Sequence, residues 1–211
     1  MKKFVSLLSG GLDSPVAAFL MINKKYHPIF ISFLTSDDEN NSMKKKLIEI
    51  VKILKKFTKK NIKLYLINHD LNLELFKTGS ERKLTCILCK RLMIRIAMQI
   101  GKNENINLIV TGDILGEQAS QTLDNLFAYN NLLHNFVILR PLIGWDKLEV
   151  IRLSEKIGLY NICSQSSASC QYNPQFPETH AKPLEIIKAE STTNLVDLVK
   201  ESIRNVEILY F

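Results

Sequence analysis

The sequence predicts an α/β fold: a doubly wound, mainly parallel five-stranded sheet with helices on both faces. Three observations carry that expectation. Short apolar runs alternate with segments of helical periodicity along most of the chain. The first of these runs ends at a glycine pair, where a strand must turn directly into a helix. Hydrophobic residues make up 46% of the 211, enough for one domain with a real core.

The elements follow in order. Lys3 to Leu8 reads as the first strand, and Ser14 to Asn23 as a helix carrying Val16, Phe19, Leu20 and Met21 at helical spacing. Ile29 to Phe33 is the second strand. A polar loop from Thr35 to Asn41 leads into a helix whose apolar stripe is Leu47, Ile50, Val51, Leu54 and Phe57. Lysines 44, 45, 46, 52, 55 and 56 crowd its other faces, as a solvated surface would. Ile62 to Ile67, Asn107 to Val110 and Phe136 to Leu139 supply the remaining strands, and Cys89, Leu92, Met93, Ile96 and Ile100 mark the helix before the fourth. Such alternation places a ligand site at the carboxyl ends of the strands. After Gly158 a Ser-, Asn- and Pro-rich stretch, Ser164 to Pro183, reads as a functional lid, followed by a final helix from Thr193 to Ile203. Residues 1–183 are expected to form the main domain, with 184–211 a C-terminal helix and tail packed on it.

The bulk properties narrow the setting. A net charge of +7 suits work beside polyanions such as nucleic acid, or simply a lysine-rich surface. The apolar run after Met1 is ended by Gly10 and Gly11 too early for a signal peptide, and no stretch approaches the ~20 apolar residues of a membrane span. A cytoplasmic protein with no membrane contact is expected. There, Cys86, Cys89, Cys163 and Cys170 are candidates for metal binding, redox chemistry or sulfur transfer rather than structural disulfides.

The first chemical motif is Ser9-Gly10-Gly11-Leu12-Asp13-Ser14. Two glycines let the backbone approach an anion, flanking hydroxyls donate to phosphate oxygens, and the helix that starts at once aims its first amides the same way. Asp13 meets phosphate only through a cation, which makes it a Mg²⁺ ligand or an organiser of the loop. No Gly-Lys-Ser is present to suggest ordinary γ-phosphoryl transfer. The string resembles the PP-loop of ATP-pyrophosphatases, which implies cleavage of ATP between its α- and β-phosphates, with pyrophosphate held by Ser9, Gly10, Gly11, Asp13 and Ser14.

The second motif, Thr111-Gly112-Asp113 through Gln118, Gln121 and Thr122, follows the fourth strand and opens a segment rich in amides and hydroxyls. The third is Cys86-Ile87-Leu88-Cys89 with Lys90, Arg91 and Arg95 beyond it. Both thiols share one helix face, and a helix N-terminus with nearby cations favours thiolate. Taken alone, a C-x-x-C is open between a redox pair, half a zinc site and half an iron–sulfur site. His69 and His180 read as structural or solvated.

Together with Arg140-Pro141-Leu142-Ile143-Gly144-Trp145-Asp146-Lys147, these blocks resemble the catalytic domain of the tRNA 4-thiouridine synthetase family, from Lys3 to about Lys182. The resemblance implies a fold like that of the adenine nucleotide alpha hydrolases. It also implies that ATP adenylates oxygen 4 of a tRNA uridine, after which sulfur attacks carbon 4 and AMP leaves. In that scheme Phe30, Ser32, Phe33 and Thr35 lie beside the adenosine, and Gln118 and Gln121 near the nucleotide or uracil. Asp113 is a second Mg²⁺ ligand or an orienting group, and Arg140 and Lys147 neutralise charge on the phosphates. Archaeal-type members hold an iron–sulfur cluster on the C-x-x-C and one later cysteine, here Cys170 with Cys163 as runner-up; zinc is the alternative. Sulfur is expected from sulfide or a persulfide carrier. Full-length members carry an RNA-binding region before the PP-loop, which here starts at residue 9. Either a separate RNA-binding subunit or a homodimer is therefore expected to complete the tRNA site, or the substrate is not tRNA and another PP-loop reaction, such as thiolation of a different base or substrate, is the alternative.

Overall fold

The computed structural model describes residues 2–35, 42–165 and 170–211; residues 36–41 of the expected polar loop and 166–169 of the expected lid lie outside the described residues. The sheet has six strands rather than five, in the order β5-β4-β1-β2-β3-β6. Five are parallel: β1 (Lys3–Leu7), β2 (His27–Leu34), β3 (Lys63–Asn68), β4 (Leu108–Val110) and β5 (Val137–Leu139). The sixth, β6 (Glu207–Tyr210), comes from the C-terminal tail and runs antiparallel to β3, with Lys63 opposite Tyr210 and Leu66 opposite Glu207. Its four residues leave two side chains for each face, Ile208 packing on one side of the sheet and Leu209 on the other. So short a pattern cannot be told from a frayed tail by periodicity.

The strands β1, β2 and β3 are residue-by-residue dividers between two cores. Val5, Ile29, Ile31, Tyr65 and Ile67 face one layer, while Phe4, Phe30, Leu64 and Leu66 face the other, the period-2 alternation of a strand buried on both sides. The first layer contains α3 (Asp70–Gly79), α4 (Thr85–Asn103), α5 (Leu123–Phe127), α8 (Pro183–Ser191) and α9 (Leu195–Arg204). The second contains α1 (Asp13–Asn23), α2 (Ser42–Lys55), α6 (Lys147–Lys156) and α7 (Tyr160–Cys163). On α4, Leu88, Leu92, Ile96 and Ile100 recur every fourth residue and are each 1% exposed or less, so that helix is held by one continuous stripe. Phe57 does not belong to the α2 stripe, because α2 ends at Lys55; it is exposed and packs edge-on against Phe19 at 4.9 Å. Among the described residues no helix is long and apolar enough to cross a membrane.

Topology positions the site. The chain steps from β1 to β2 to β3 on one side, then returns to place β4 on the other side of β1. In open parallel sheets that reversal leaves a crevice at the carboxyl ends of the two strands, and ligands bind there. Ser9–Ser14 leaves the end of β1, and Thr111–Asp113 leaves the end of β4.

Candidate active site at the reversal between β1 and β4

The loop after β1 is closed on itself by its two serines. Ser9 N–H donates to Ser14 Oγ at 2.8 Å, the two hydroxyls are 2.9 Å apart, and Gly11 N–H donates to Ser9 Oγ at 3.3 Å. Helix α1 then starts after Leu12, which has no side chain able to cap it, and Pro15 in its first turn carries no N–H. Its leading amides are left for a ligand rather than for a cap. Gly112 makes the crevice narrow: a Cβ there would stand 2.4 Å from Ser14 N and 2.7 Å from Asp13 C, so only glycine lets the end of β4 lie against the loop backbone.

Charged groups converge on this loop. Lys147, the first residue of α6 behind an Asp146–Glu149 capping box, reaches Asp13 at 2.7 Å and Glu117 at 3.3 Å. Burial alone would lower the Lys147 pKa, but the two carboxylates outweigh it and hold the ammonium above its ordinary value. Glu117 was not singled out from the sequence. The only available signal is Gly116, whose φ of +77° turns the chain just before it.

Asp113 is buried with every neighbour committed to it. Lys90 forms an ion pair with one oxygen, while Thr111 Oγ1 and Arg140 Nε reach the other at 2.8 and 3.2 Å. Burial would raise its pKa, and Lys90 and Thr111, with Arg140, more than reverse that. This carboxylate is occupied by cations of the chain itself. Both of its oxygens are engaged, one by Lys90 and the other by Thr111 and Arg140.

A cavity of about 480 Å³ opens beside the loop. Ser9, Asp13, Ser14 and Gly112 line one side, with Gln118 and Gln121 close by, and Cys86, Cys89 and Cys170 line the other. Cys86 Sγ donates to Asn173 Oδ1 at 3.2 Å, and Asn173 N–H closes a turn onto the Cys170 carbonyl at 3.1 Å. Cys89 Sγ lies 3.3 Å from His69 Nε2. Cys163 sits in the opposite layer, buried on α7. Among the described residues, no three His, Cys, Asp or Glu side chains are grouped as they stand to enclose a single metal ion.

The expected thiolate character is reversed. Burial pushes the Cys86 and Cys89 thiols up, and the neighbouring thiols add to it; Arg82 and Lys90 offset only part. Arg91 and Arg95 do not help, because both turn away to Glu190 on α8, Arg91 in a bidentate pair at 2.7 and 2.9 Å. Cys89 is also a full turn into α4, beyond the reach of the first-turn amides.

Two of the residues expected beside adenosine lie inside the protein. Phe30 is fully buried in the second core layer, and the Ser32 hydroxyl is used by the Leu8 carbonyl at 2.9 Å. Phe33 packs edge-on against His69, ring centroids 4.9 Å apart. In a strand covered on both faces each side chain meets a core layer, whichever way it points.

A mostly parallel sheet with this order, and a lysine-free glycine loop leading straight from β1 into α1 at the reversal, define the PP-loop class of α/β proteins. The chain belongs to the family described as "Thiamine biosynthesis protein (ThiI)", whose model matches residues 1–195. It is 37% identical over 197 residues to a probable tRNA sulfurtransferase of Methanocaldococcus jannaschii, covering 92% of this chain and 50% of that one. A probable tRNA sulfurtransferase of Methanosarcina mazei is 38% identical over 208 residues, 98% of this chain and 51% of its own. The chain thus spans about half the length of these relatives. Among solved structures, a 4-thiouridine synthetase in complex with RNA and with bound ATP superposes with a TM-score of 0.94 at 28% identity, over 100% of this chain and 55% of that one.

Proposed function

We propose that this chain is an ATP-dependent tRNA sulfurtransferase that adenylates oxygen 4 of a tRNA uridine and replaces it with sulfur, giving 4-thiouridine. The observation that carries the reading is one cavity with an anion-binding loop on one wall and three thiols on the other. The named activities of the relatives point the same way.

A carbonyl oxygen leaves only after it is esterified. The uridine oxygen attacks the α-phosphorus as N3 gives up its proton, the bond to the β-phosphate breaks, and pyrophosphate departs. Ser9, Ser14 and the first amides of α1 hold the departing anion, and Lys147 neutralises its charge. Asp13 and Glu117, which already share Lys147, are the carboxylates that would hold Mg²⁺ against the phosphates. Hydrosulfide then adds to carbon 4, the carbon–oxygen bond breaks as AMP leaves, and the proton that came in on sulfur passes to N3, giving 4-thiouridine with no change of oxidation state.

Cys86, Cys89 and Cys170 would hold an iron–sulfur cluster, which when bound supplies an iron site that presents sulfide near the uridine. Soft thiols from two chain segments on one wall fit such a group, and a bound cation removes the protons that burial keeps on Cys86 and Cys89. Sharing it takes Cys86 off Asn173 by a rotation of its side chain. The cytoplasm, where thiols stay reduced, is the compartment this reading requires. Within the proposal, residues 1–183 carry both halves of the site and residues 184–211 form the appendage behind the thiols.

Anaerobic incubation of the chain with ATP, Mg²⁺, sulfide and tRNA, alone and with an added RNA-binding subunit, tests the reading by mass spectrometry of the nucleosides. Expected are 4-thiouridine, AMP and pyrophosphate. A different thiolated base would redirect the substrate, and no thiolation under either condition would overturn the function. A colourless, iron-free, zinc-loaded protein would replace the cluster with zinc.

A further inference from the structure

Behind Cys89 lies a row of buried polar side chains that the reaction above does not use. His69, just before α3, is 1% exposed, and its backbone N–H is fixed on the Leu34 carbonyl at 2.9 Å. One ring nitrogen, Nδ1, is 3.1 Å from Asn72 Nδ2, and the other, Nε2, is 3.3 Å from Cys89 Sγ. Asn72 Nδ2 also reaches Ser202 Oγ of α9 at 3.0 Å. An amide nitrogen has two hydrogens and nothing to accept with, so it donates to both neighbours. The Nδ1 that accepts from it carries no proton, and the neutral ring therefore carries its proton on Nε2. That N–H is aimed at the Cys89 sulfur.

We propose that His69 is the positioning residue of Cys89: with Nδ1 held by Asn72, its Nε2–H donates to the Cys89 sulfur, fixes where that sulfur points, and stabilises negative charge on it. The inference rests on the reading of Cys89 as a working thiol, free or bound to metal. It gives α9 a part in the site, since Ser202 takes the second hydrogen of the Asn72 amide nitrogen. Phe33, packed edge-on against the ring, holds it in this plane. Groups standing behind metal ligands act in this way, orienting the ligand and tuning its charge.

Nitrogen-15 NMR of the reduced, metal-free chain reads the tautomer directly. A protonated Nε2 and a bare Nδ1 are expected, with the Nε2 resonance moving in Cys89→Ala; a proton on Nδ1 would overturn the proposal. His69→Phe is expected to weaken retention of iron or zinc against a chelator by about 10–100-fold, and His69→Gln, which keeps an N–H near the same place, to recover most of it. Equal losses in both variants, or none in either, would make His69 a core residue only. Should His69→Phe fail to fold, Asn72→Leu replaces it. That variant leaves the ring but frees Nδ1, so a mixture of tautomers is expected, and an unchanged single tautomer would remove Asn72 from the argument. A wild-type chain that takes up neither metal would count against the cluster reading alone, because the tautomer is read without metal.

Discussion

The two walls of the cavity are built in opposite ways. The loop wall is local: Ser9 and Ser14 bond to each other within six residues, at the junction of β1 with α1. The thiol wall is assembled from distance, with Cys86 and Cys89 on α4, Cys170 and Asn173 from the C-terminal stretch, and His69 and Asn72 from the segment after β3. A local site is fixed once its strand and helix form. An assembled one depends on every element packed behind it, so the two walls should fail separately under mutation.

The largest expected effect falls on the loop alone. Asp13→Asn removes the carboxylate charge that pairs with Lys147 and, in the proposed reaction, holds Mg²⁺ against the phosphates, and a loss of roughly 10²–10³-fold in AMP release is expected, by analogy with the removal of a single charge-stabilising group. Iron or zinc content should stay at the wild-type level. Loss of metal along with activity would show the two walls to be one cooperative unit.

Next comes a change that strikes the thiol wall from behind. Glu190→Ala leaves Arg91, 1% exposed, without its carboxylate, and removing one partner of a buried pair costs about 3–5 kcal/mol. Burial would raise the Glu190 pKa, but Arg91 and Arg95 outweigh it and hold it below the usual range. A folded-state pKa below the unfolded one adds stability that is complete above the unfolded value and is lost as the pH falls through the folded one. Denaturant midpoints should therefore drop on acidification between pH 6 and pH 3 more steeply in the wild type than in Glu190→Gln. Parallel curves would assign the acid sensitivity elsewhere.

This difference in construction also decided what the sequence could reveal. Ser9–Ser14 was readable because its chemistry lies in one contiguous string, and the alternating core of β1 to β3 because each strand carries its own pattern. His69 looked like a solitary histidine: nothing in Asn68-His69-Asp70 announces that Cys89, twenty residues on, will lie against it. The thiol pKa was misjudged for the same reason, since helix position is visible in sequence and burial by other segments is not. Asp113 was seen, but its role depends on Lys90 and Arg140, both brought in by tertiary packing.

Gly112→Ala probes where the walls meet. Its Cβ would collide with backbone, at Ser14 N and Asp13 C, and backbone cannot turn aside as a side chain can. Overpacking of this kind costs about 1–3 kcal/mol. ATP protection against thermal unfolding should disappear, while a chelator competition at the thiols stays within a few-fold of wild type. Retained ATP protection would mean that the end of β4 can withdraw from the loop without consequence.

The smallest effect is expected at Cys163, and it sharpens which thiols belong to the assembled wall. Burial pushes its thiol up to about 11, outweighing the opposite pull of Lys46, whose ammonium is bonded to the Cys163 and Gln165 carbonyls at 3.1 and 2.7 Å. A buried, protonated thiol in the layer opposite the cavity behaves as a small hydrophobe. Cys163→Ala should cost about 1 kcal/mol of stability, the central value for point substitutions, and leave both metal content and thiolation unchanged. Cys170→Ala, at an exposed position, should cost less stability yet lower the metal content. If the two variants exchanged these phenotypes, the third thiol would reach the site from α7, and the cavity between β1 and β4 would not be where sulfur is held.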